Sequence, residues 1–300
     1  MKTSDCPGKY WTTFWLAGIE MSDRKKLTVS GKRSLTDPDS SLVSRGLSDI
    51  SKILEGLRNS DFSIEPGSGN KVRIIRIAPD LTMEFVFIPP GQFLMGSPES
   101  EGDPDEHPQH LVKFKHGFYL GKYAVTQDQW FSIMGKNNSA FKGARLPVDT
   151  VSWKDCQAFL KKLNQKTDDC FRLPTEAEWE YACRSGSRTR YYWGDAIDSD
   201  FCWFGLNSEG KTREVGKKKP NLWGLYDMSG NVWEWCQDGY SSMYYMSSPA
   251  ENPENQAVGS RVLRGGSWVD EPSLCRSAAR GRGDPVGRDC LYGFRLVYQE

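Results

Sequence analysis

Three histidines are the only candidates for histidine-based catalysis: His107, His110 and His116. A Ser-His-Asp triad would need one of them, but the chain contains no G-x-S-x-G nucleophile elbow. His107 and His110 stand three residues apart beside Glu106, a spacing that could hold a metal ion. The segment 102–108 is rich in turn-forming residues, which favours a solvated loop over a metal site. A P-loop and a dinucleotide-binding glycine fingerprint are also absent.

An aromatic-rich segment, residues 224–235, brings several oxygen-bearing groups close together. One interpretation is a tight glycine turn that buries Trp233. The other is a Ca²⁺ site whose ligands are the carboxylates of Asp227 and Glu234 and nearby backbone carbonyls, since Ca²⁺ prefers oxygen ligands. The amino-acid composition of this segment, taken alone, favours the glycine turn over the Ca²⁺ site.

The eight cysteines form neither a zinc motif nor a C-x-x-C redox motif. From Cys156 to Cys290 no two lie closer than 13 residues, and eight in 300 residues are too sparse for a disulfide scaffold. The 39 basic and 39 acidic residues cancel, which argues against a nucleic-acid partner held by bulk electrostatics and against a polybasic membrane-surface protein.

No apolar run approaches the roughly 20 residues that a membrane span requires. The start of the chain has neither a convincing signal peptide nor a lipobox. We therefore expect no membrane span and a cytoplasmic location.

Three short helices are predicted from hydroxyl residues that can cap a helix. At Ser152 and Thr175 an acidic residue three positions later completes a capping box, in which the two side chains satisfy free backbone N–H groups. Thr126 begins a helix over 127–134, Ser152 begins one through about Leu163, and Thr175 begins one that ends near Gly186. Strands are predicted over 73–77 and 84–88, with more strand between 112 and 123.

Beyond Tyr191, glycine, proline and aromatic residues recur without sustained periodicity, which predicts loops packed around rings. These features predict an α+β class without a βαβ series. We divide the chain into an N-terminal segment, 1–70, and a domain, 71–300. The N-terminal segment contains one amphipathic helix, 42–58, and a linker, 65–70.

Eight sequence blocks closely resemble the formylglycine-generating-enzyme (sulfatase-modifying factor) superfamily over about residues 80–298. They are Phe87–Ser97, Tyr123–Thr126, Leu146–Trp153, Phe171–Ala182, Tyr192–Gly194, Gly224–Trp235, Arg261–Trp268 and Gly293–Arg295. The resemblance implies a C-type lectin-like fold with small sheets, few short helices and much irregular structure. It also implies a structural Ca²⁺ ion and no organic cofactor, with the ion's ligands drawn from Asp227, Gly230, Val232 and Glu234.

Enzymes of this superfamily bind copper through a cysteine pair that follows the G-G-S-aromatic motif. Here Cys275 matches the second cysteine, but Asp270 stands at the first position. A single thiolate does not give the two soft ligands that Cu(I) favours. The iron-dependent ergothioneine-type branch needs a histidine-rich partner domain, and residues 1–79 contain no histidine. We therefore expect no catalytic residues, with a copper-dependent sulfatase-modifying oxidase using Cys275 and Ser267 as the alternative.

The C-terminal region, 261–297, resembles the frame of variable proteins that diversity-generating retroelements mutate at adenines, mostly in Asn codons. Such mutagenesis never yields Lys, Gln, Met, Trp or Glu, and residues 269–291 contain none of these except Glu271. A small-residue surface loop would avoid the same bulky side chains. The candidate varied positions are Val269, Asp270, Ser273, Leu274, Ala279, Gly281, Gly283, Asp284, Asp289, Cys290 and Leu291.

This resemblance implies a non-enzymatic protein whose C-terminal surface binds a macromolecule, most simply a protein. We expect Arg276, Arg280 and Arg288 to hold that surface through bidentate carboxylate pairs, and Cys275 to be a small buried core residue. A third hypothesis is a scaffolding module that is recruited through the helix at 42–58.

Overall fold

The computed structural model describes residues 60–64 and 71–299. The predicted amphipathic helix at 42–58 and the linker at 65–70 lie outside the described residues. Within the described part, no helix combines the length and the apolar character needed to cross a bilayer.

Twelve short strands form three sheets in the described residues. The largest sheet has the order β1-β2-β3-β6-β12-β7, the second has the order β10-β9-β8-β11, and β4 pairs with β5. The strands are β1 (Ser60–Ile64), β2 (Lys71–Ala78), β3 (Leu81–Ile88), β4 (Gly91–Met95), β5 (His110–Phe114), β6 (Phe118–Gly121), β7 (Cys170–Arg172), β8 (Trp233–Gly239), β9 (Arg261–Arg264), β10 (Arg280–Gly283), β11 (Tyr292–Gly293) and β12 (Val297–Gln299).

The three predicted helices are confirmed as α1 (Gln127–Met134), α2 (Trp153–Thr167) and α3 (Glu176–Arg184). Each begins with a capping box, as predicted at Ser152 and Thr175, and the cap predicted at Thr126 forms a box with Gln129 as well. Each ends at a residue in the left-handed conformation, and α2 therefore continues past Leu163, because its left-handed residue is Asp168.

The predicted strands at 73–77 and 84–88 are confirmed as parts of β2 and β3, which pair antiparallel. From 185 to 232 the chain forms neither a helix nor a named strand, and its aromatic side chains pack instead. Tyr191, Trp193 and Phe201, for example, stack in series with ring centroids 4.7 and 5.1 Å apart. The fold is the predicted α+β arrangement of small sheets, few helices and much irregular structure.

The core joins the large sheet to α1 and α2. Trp130 of α1 stacks on Phe159 of α2 at 5.3 Å, and both contact Phe294 near the C-terminus. On the other side of the molecule, Trp179 of α3 is fully buried. This packing fixes the four-stranded sheet that carries the C-terminal region.

Candidate functional site

The two faces of the four-stranded sheet carry different chemistry. Register places Leu263 of β9 between Trp235 of β8 and Gly281 of β10. The next row, Glu234, Arg264 and Arg280, points to the opposite side because side chains alternate along a strand. One face is therefore built from indole rings over glycines, and the other from charged groups.

The charged face is a buried ion-pair network. Arg264 is fully buried and donates to Glu180 through Nη2. Arg280 donates to Glu176 through Nε at 2.7 Å and Nη2 at 2.9 Å. Burial alone would raise the pKa of Glu176, but Arg280 and Arg264 together hold it below the ordinary value. We call this set, Glu176, Glu180, Arg264 and Arg280, the arginine layer.

The three predicted bidentate pairs are confirmed. Besides Arg280–Glu176, Arg276 donates to both oxygens of Glu106 at 2.7 Å, and both partners are buried. On the surface, Arg288 donates to the two oxygens of Asp155 at 2.6 and 2.8 Å. Because Glu106 is committed to Arg276, the alternative metal site at Glu106, His107 and His110 is not formed.

The indole face packs against the two glycines of β10. A Cβ atom added at Gly281 would lie 3.0 Å from the Trp233 ring, and one added at Gly283 would overlap the ring of Trp235. Trp235 is fully buried, whereas Trp233 is 7% exposed. A larger side chain at Gly283 would therefore clash with the fully buried Trp235 ring. A larger side chain at Gly281 would contact the Trp233 ring, which lies nearer the surface.

Asp270 and Asp289 hold the backbone around this face. Asp270 Oδ2 accepts hydrogen bonds from Ser267 N at 2.9 Å, Ser267 Oγ at 2.5 Å and Trp233 Nε1 at 2.8 Å. Asp289 Oδ1 accepts from Leu291 N at 3.1 Å, and the Asp289 carbonyl accepts from Thr150 N at 3.0 Å. Both candidate positions therefore have a structural role in the native fold.

The eleven candidate varied positions differ in exposure. Val269, Ser273 and Asp284 are exposed, and Ala279 is 1% exposed, so its side chain lies in the core and does not reach the surface. The half-buried ones are Asp270, Leu274, Gly281, Gly283, Asp289, Cys290 and Leu291.

Two tryptophans join the segments that carry these positions. Trp233 contacts Asp270 and lies against Gly281, and Trp268 Nε1 donates to the Cys290 carbonyl at 3.2 Å. We call the surface formed by residues 268–274 and 281–291 the C-terminal face. The backbone that carries the exposed positions is thus held in place by tryptophan rings and by hydrogen bonds to the backbone.

Sequence reasoning missed Leu206, which is 88% exposed. Its neighbour Gly205 donates through its backbone N to the Asp270 carbonyl at 2.9 Å, which places the loop next to Val269. Exposed leucine beside exposed valine extends the C-terminal face with apolar surface. No local signal in residues 204–208 identifies this neighbour, because a fold-dependent contact creates it.

The carboxylates of Asp227 and Glu234, two of the four residues expected to bind Ca²⁺, are already engaged by protein groups and do not fit that ion as arranged. Glu234 accepts from Arg295 Nε at 2.6 Å, from Arg295 Nη2 at 2.7 Å and from Trp179 Nε1 at 2.6 Å. Asp227 Oδ2 accepts from Gly216 N at 2.7 Å. The Glu234 carboxylate is thus held in an ion pair with Arg295, whereas Ca²⁺ requires six to eight oxygen ligands. Nowhere in the described residues do three or more His, Cys, Asp or Glu side chains form a possible metal cluster.

The segment around Asp227 and Glu234 forms the tight turn that composition favoured. Gly230 adopts φ +76°, where a Cβ atom would overlap the Trp203 carbonyl, and Trp233 is buried. Burial raises the pKa of Asp227 to about 6.

Cys275 is fully buried, as predicted. The structure also places the free thiol of Cys202 in the same buried cluster, together with Tyr191 and Phe204. The neighbouring Cys275 thiol and burial raise the pKa of the Cys202 thiol well above its ordinary value. Sequence reasoning missed this pair because the two cysteines are far apart in the chain.

Comparisons of the sequence with family models and with known proteins agree on one family. The model of the sulfatase-modifying factor enzyme 1-like domain matches residues 77–300. The chaperone protein LppX of Paenibacillus barcinonensis is 34% identical over 232 residues, which cover 60% of this chain and 79% of LppX. The formylglycine-generating enzyme of Streptomyces coelicolor is 31% identical, covering 73% of this chain and 90% of the enzyme.

Among solved structures, the chain is similar to Treponema denticola variable protein 1. The TM-score is 0.69 with 27% identity, and the match covers 76% of this chain and 98% of the variable protein. The chain is thus similar in sequence to a relative named as an enzyme and in structure to a protein named for variability.

Proposed function

Because the chain belongs to the family of sulfatase-modifying factor enzyme 1-like domains, we propose that it is a non-enzymatic member whose C-terminal face binds macromolecular ligands and is diversified by a retroelement. Because one fold can host several functions, the function must be inferred from the residues of the site itself. The observation that carries it is the placement of Val269, Ser273 and Asp284 as exposed side chains on a rigid support.

The support is suited to a surface whose side chains change. Arg276 and Arg280 are buried in bidentate pairs, and Asp270 and Trp233 tie the two segments of the face together. Replacing an exposed side chain on such a frame removes no buried contact, so the fold tolerates it. The similarity to a variable protein of the same fold supports this proposal.

The test is long-read sequencing of this gene and its flanks from many cells of the source population. We expect differences concentrated at the exposed candidate positions, Val269, Ser273 and Asp284, with fewer at the half-buried ones, beside an Asn-rich near-copy and a reverse-transcriptase gene. We expect Ala279 to vary least because it lies in the core. A uniform segment without a nearby template would overturn the proposal.

The composition of the same surface indicates which class of ligand it binds. Exposed Leu206 and Val269 give apolar area, and the neighbouring Ser273 and Asp284 give polar rim, a mixture typical of protein interfaces. We propose a protein ligand. An array of purified proteins, probed with the native chain and with the double variant Val269→Asp, Ser273→Lys, should give different binders. Identical binders would contradict the assignment of this face.

The second candidate is a copper-dependent oxidase, and the Cys202–Cys275 thiol pair favours it, since Cu(I) selects soft sulfur ligands. The donor type fits, and the two thiols would hold the ion, which would supply the one-electron chemistry of oxygen activation. Access does not fit, because both cysteines are fully buried in a cluster with Tyr191 and Phe204, so a substrate thiol would need this cluster to open. Turnover of a cysteine-containing peptide with copper and oxygen, lost in Cys275→Ala, would establish this candidate instead.

A further inference from the structure

Strand β10 lies at the outer edge of the four-stranded sheet, within the C-terminal face. It pairs with β9 on one side through four residues, Arg280 to Gly283. On its other side, no hydrogen bond to the backbone of residues 281–283 occurs in the part of the chain that the structure describes. Every second residue of an edge strand turns its N–H and C=O groups away from the sheet, so these groups are available to a partner.

Other strand edges are covered by the protein itself. The side chain of Asn164 donates to Phe171 O at 3.0 Å and accepts from Phe171 N at 2.9 Å, which closes the edge of β7. Lys113 of β5 exchanges backbone hydrogen bonds with the segment 250–252, at 2.7 and 3.0 Å. The open edge of β10 is therefore not a general property of the sheets in this fold.

The side chains of β10 leave its backbone approachable. Gly281 and Gly283 are each half-buried, and because glycine has only main-chain atoms, what remains exposed is backbone. Between them, Arg282 is exposed and makes no ion pair with any residue from 71 to 299. Its guanidinium lies 5.1 Å from the centre of the Tyr240 ring, which leaves its donors free for an acidic group.

We propose that the ligand presents an extended acidic peptide segment, which adds to the open edge of β10 as a further strand and pairs a carboxylate with Arg282. This inference rests on the proposed function and names its mode of recognition. Main-chain hydrogen bonds supply affinity that does not depend on the ligand's sequence, while side chains at alternate positions supply specificity. Diversification around this strand would then change specificity without removing the backbone contact.

The experiment uses the full chain and a phage-displayed library of random twelve-residue peptides as the probe. We expect the selected peptides to be rich in Asp and Glu. Methylation of alternate backbone nitrogens in a selected peptide should abolish binding, because it removes strand hydrogen bonds while keeping every side chain. Arg282→Glu should weaken binding at least about tenfold, as expected for loss of one charge pair.

The matched control is Arg76→Glu, which reverses an exposed arginine on β2, a strand paired on both sides. It should leave peptide binding unchanged. Selection of no peptide, or of peptides insensitive to both backbone methylation and Arg282→Glu, would overturn the strand proposal. If the protein array still responds to Val269→Asp, Ser273→Lys in that case, the proposed function survives and only the mode of recognition fails.

Discussion

The arginine layer and the C-terminal face both adjoin the four-stranded sheet but differ in how their residues are held. In the arginine layer, Arg264 and Glu180 have no contact with solvent, and each supplies a compensating charge for the other. On the C-terminal face, Val269 and Ser273 are exposed and their side chains take part in no hydrogen bond to the described residues. The contrast teaches that members of fully buried charge pairs and solvent-exposed side chains occur within one short stretch of the chain, and that packing from distant segments separates them.

The largest effect should come from breaking the arginine layer. Glu180→Ala leaves Arg264 buried without its carboxylate, and Arg184 loses its 2.8 Å partner as well. Removal of one member of a buried pair costs about 3–5 kcal/mol of unfolding free energy. Urea denaturation measures it, and Glu209→Ala, which removes the exposed partner of Arg213, is the matched control and should change little. Equal losses in both variants would contradict the comparison.

A smaller effect should come from filling the space beside the indole rings. Gly283→Leu must displace the buried ring of Trp235, and such overpacking costs about 1–3 kcal/mol. Ser273→Leu adds the same side chain at an exposed position and should change stability by less than about 0.5 kcal/mol. Thermal unfolding of the two variants measures the difference. If Gly283→Leu is as stable as Ser273→Leu, the Trp235 ring does not restrict the side chain at position 283.

The pH dependence of stability should reveal the buried carboxyl of Asp227. Its pKa is about 6 in the folded protein against an ordinary value of 3.8, so between these values the folded state holds a proton that the unfolded state has released. Stability attributable to this group therefore falls as pH rises from about 4 to 6, by at most about 1.4 kcal/mol per pH unit, and is constant above that window. Asp227→Asn keeps the turn and removes the titration. Parallel stability curves for the two proteins across this window would refute the raised pKa.

The surface pair Arg288–Asp155 should matter less than the buried pairs, although its geometry is also bidentate. Arg288 is 52% exposed in its side chain, and solvent screens such pairs to about 1 kcal/mol or less. We expect Arg288→Ala to fall in that range by urea denaturation at low salt, and to approach zero at high salt. A loss as large as that of Glu180→Ala would mean that exposure does not separate the two regions.

The smallest change in stability is expected when calcium is added or removed. Because Glu234 is held by Arg295 and Trp179, added Ca²⁺ or a chelator should leave the melting temperature unchanged. Differential scanning calorimetry of the protein with each additive checks this. A clear rise with Ca²⁺ would restore the site that the family resemblance implies.

Much of the fold could be predicted because its signals are local. The capping boxes at Thr126, Ser152 and Thr175 specify helix starts from residues within one turn. The arginine pairs were also predictable in kind, since a guanidinium in an aromatic core requires a carboxylate. Their partners were not, because Glu106 and Glu176 lie more than a hundred residues away from Arg276 and Arg280.

The candidate site was only partly predictable for the same reason. The codon pattern treats Ala279 and Gly283 like Val269, but Ala279 is buried and Gly283 faces the Trp235 ring. Exposure depends on which distant side chain packs over a small residue, and composition carries no record of that. The approach of Leu206 to the face is a further contact of this kind.

The sequence by itself therefore determined the family, the helix starts, the residue types of the buried pairs and the segment that carries the C-terminal face. Only the tertiary structure decided which positions of that segment reach solvent, that Glu234 is bound by Arg295, and that Cys202 meets Cys275. The division has a physical cause. Turn and capping chemistry is set by neighbours along the chain, whereas burial and charge pairing are set by neighbours that the fold brings together.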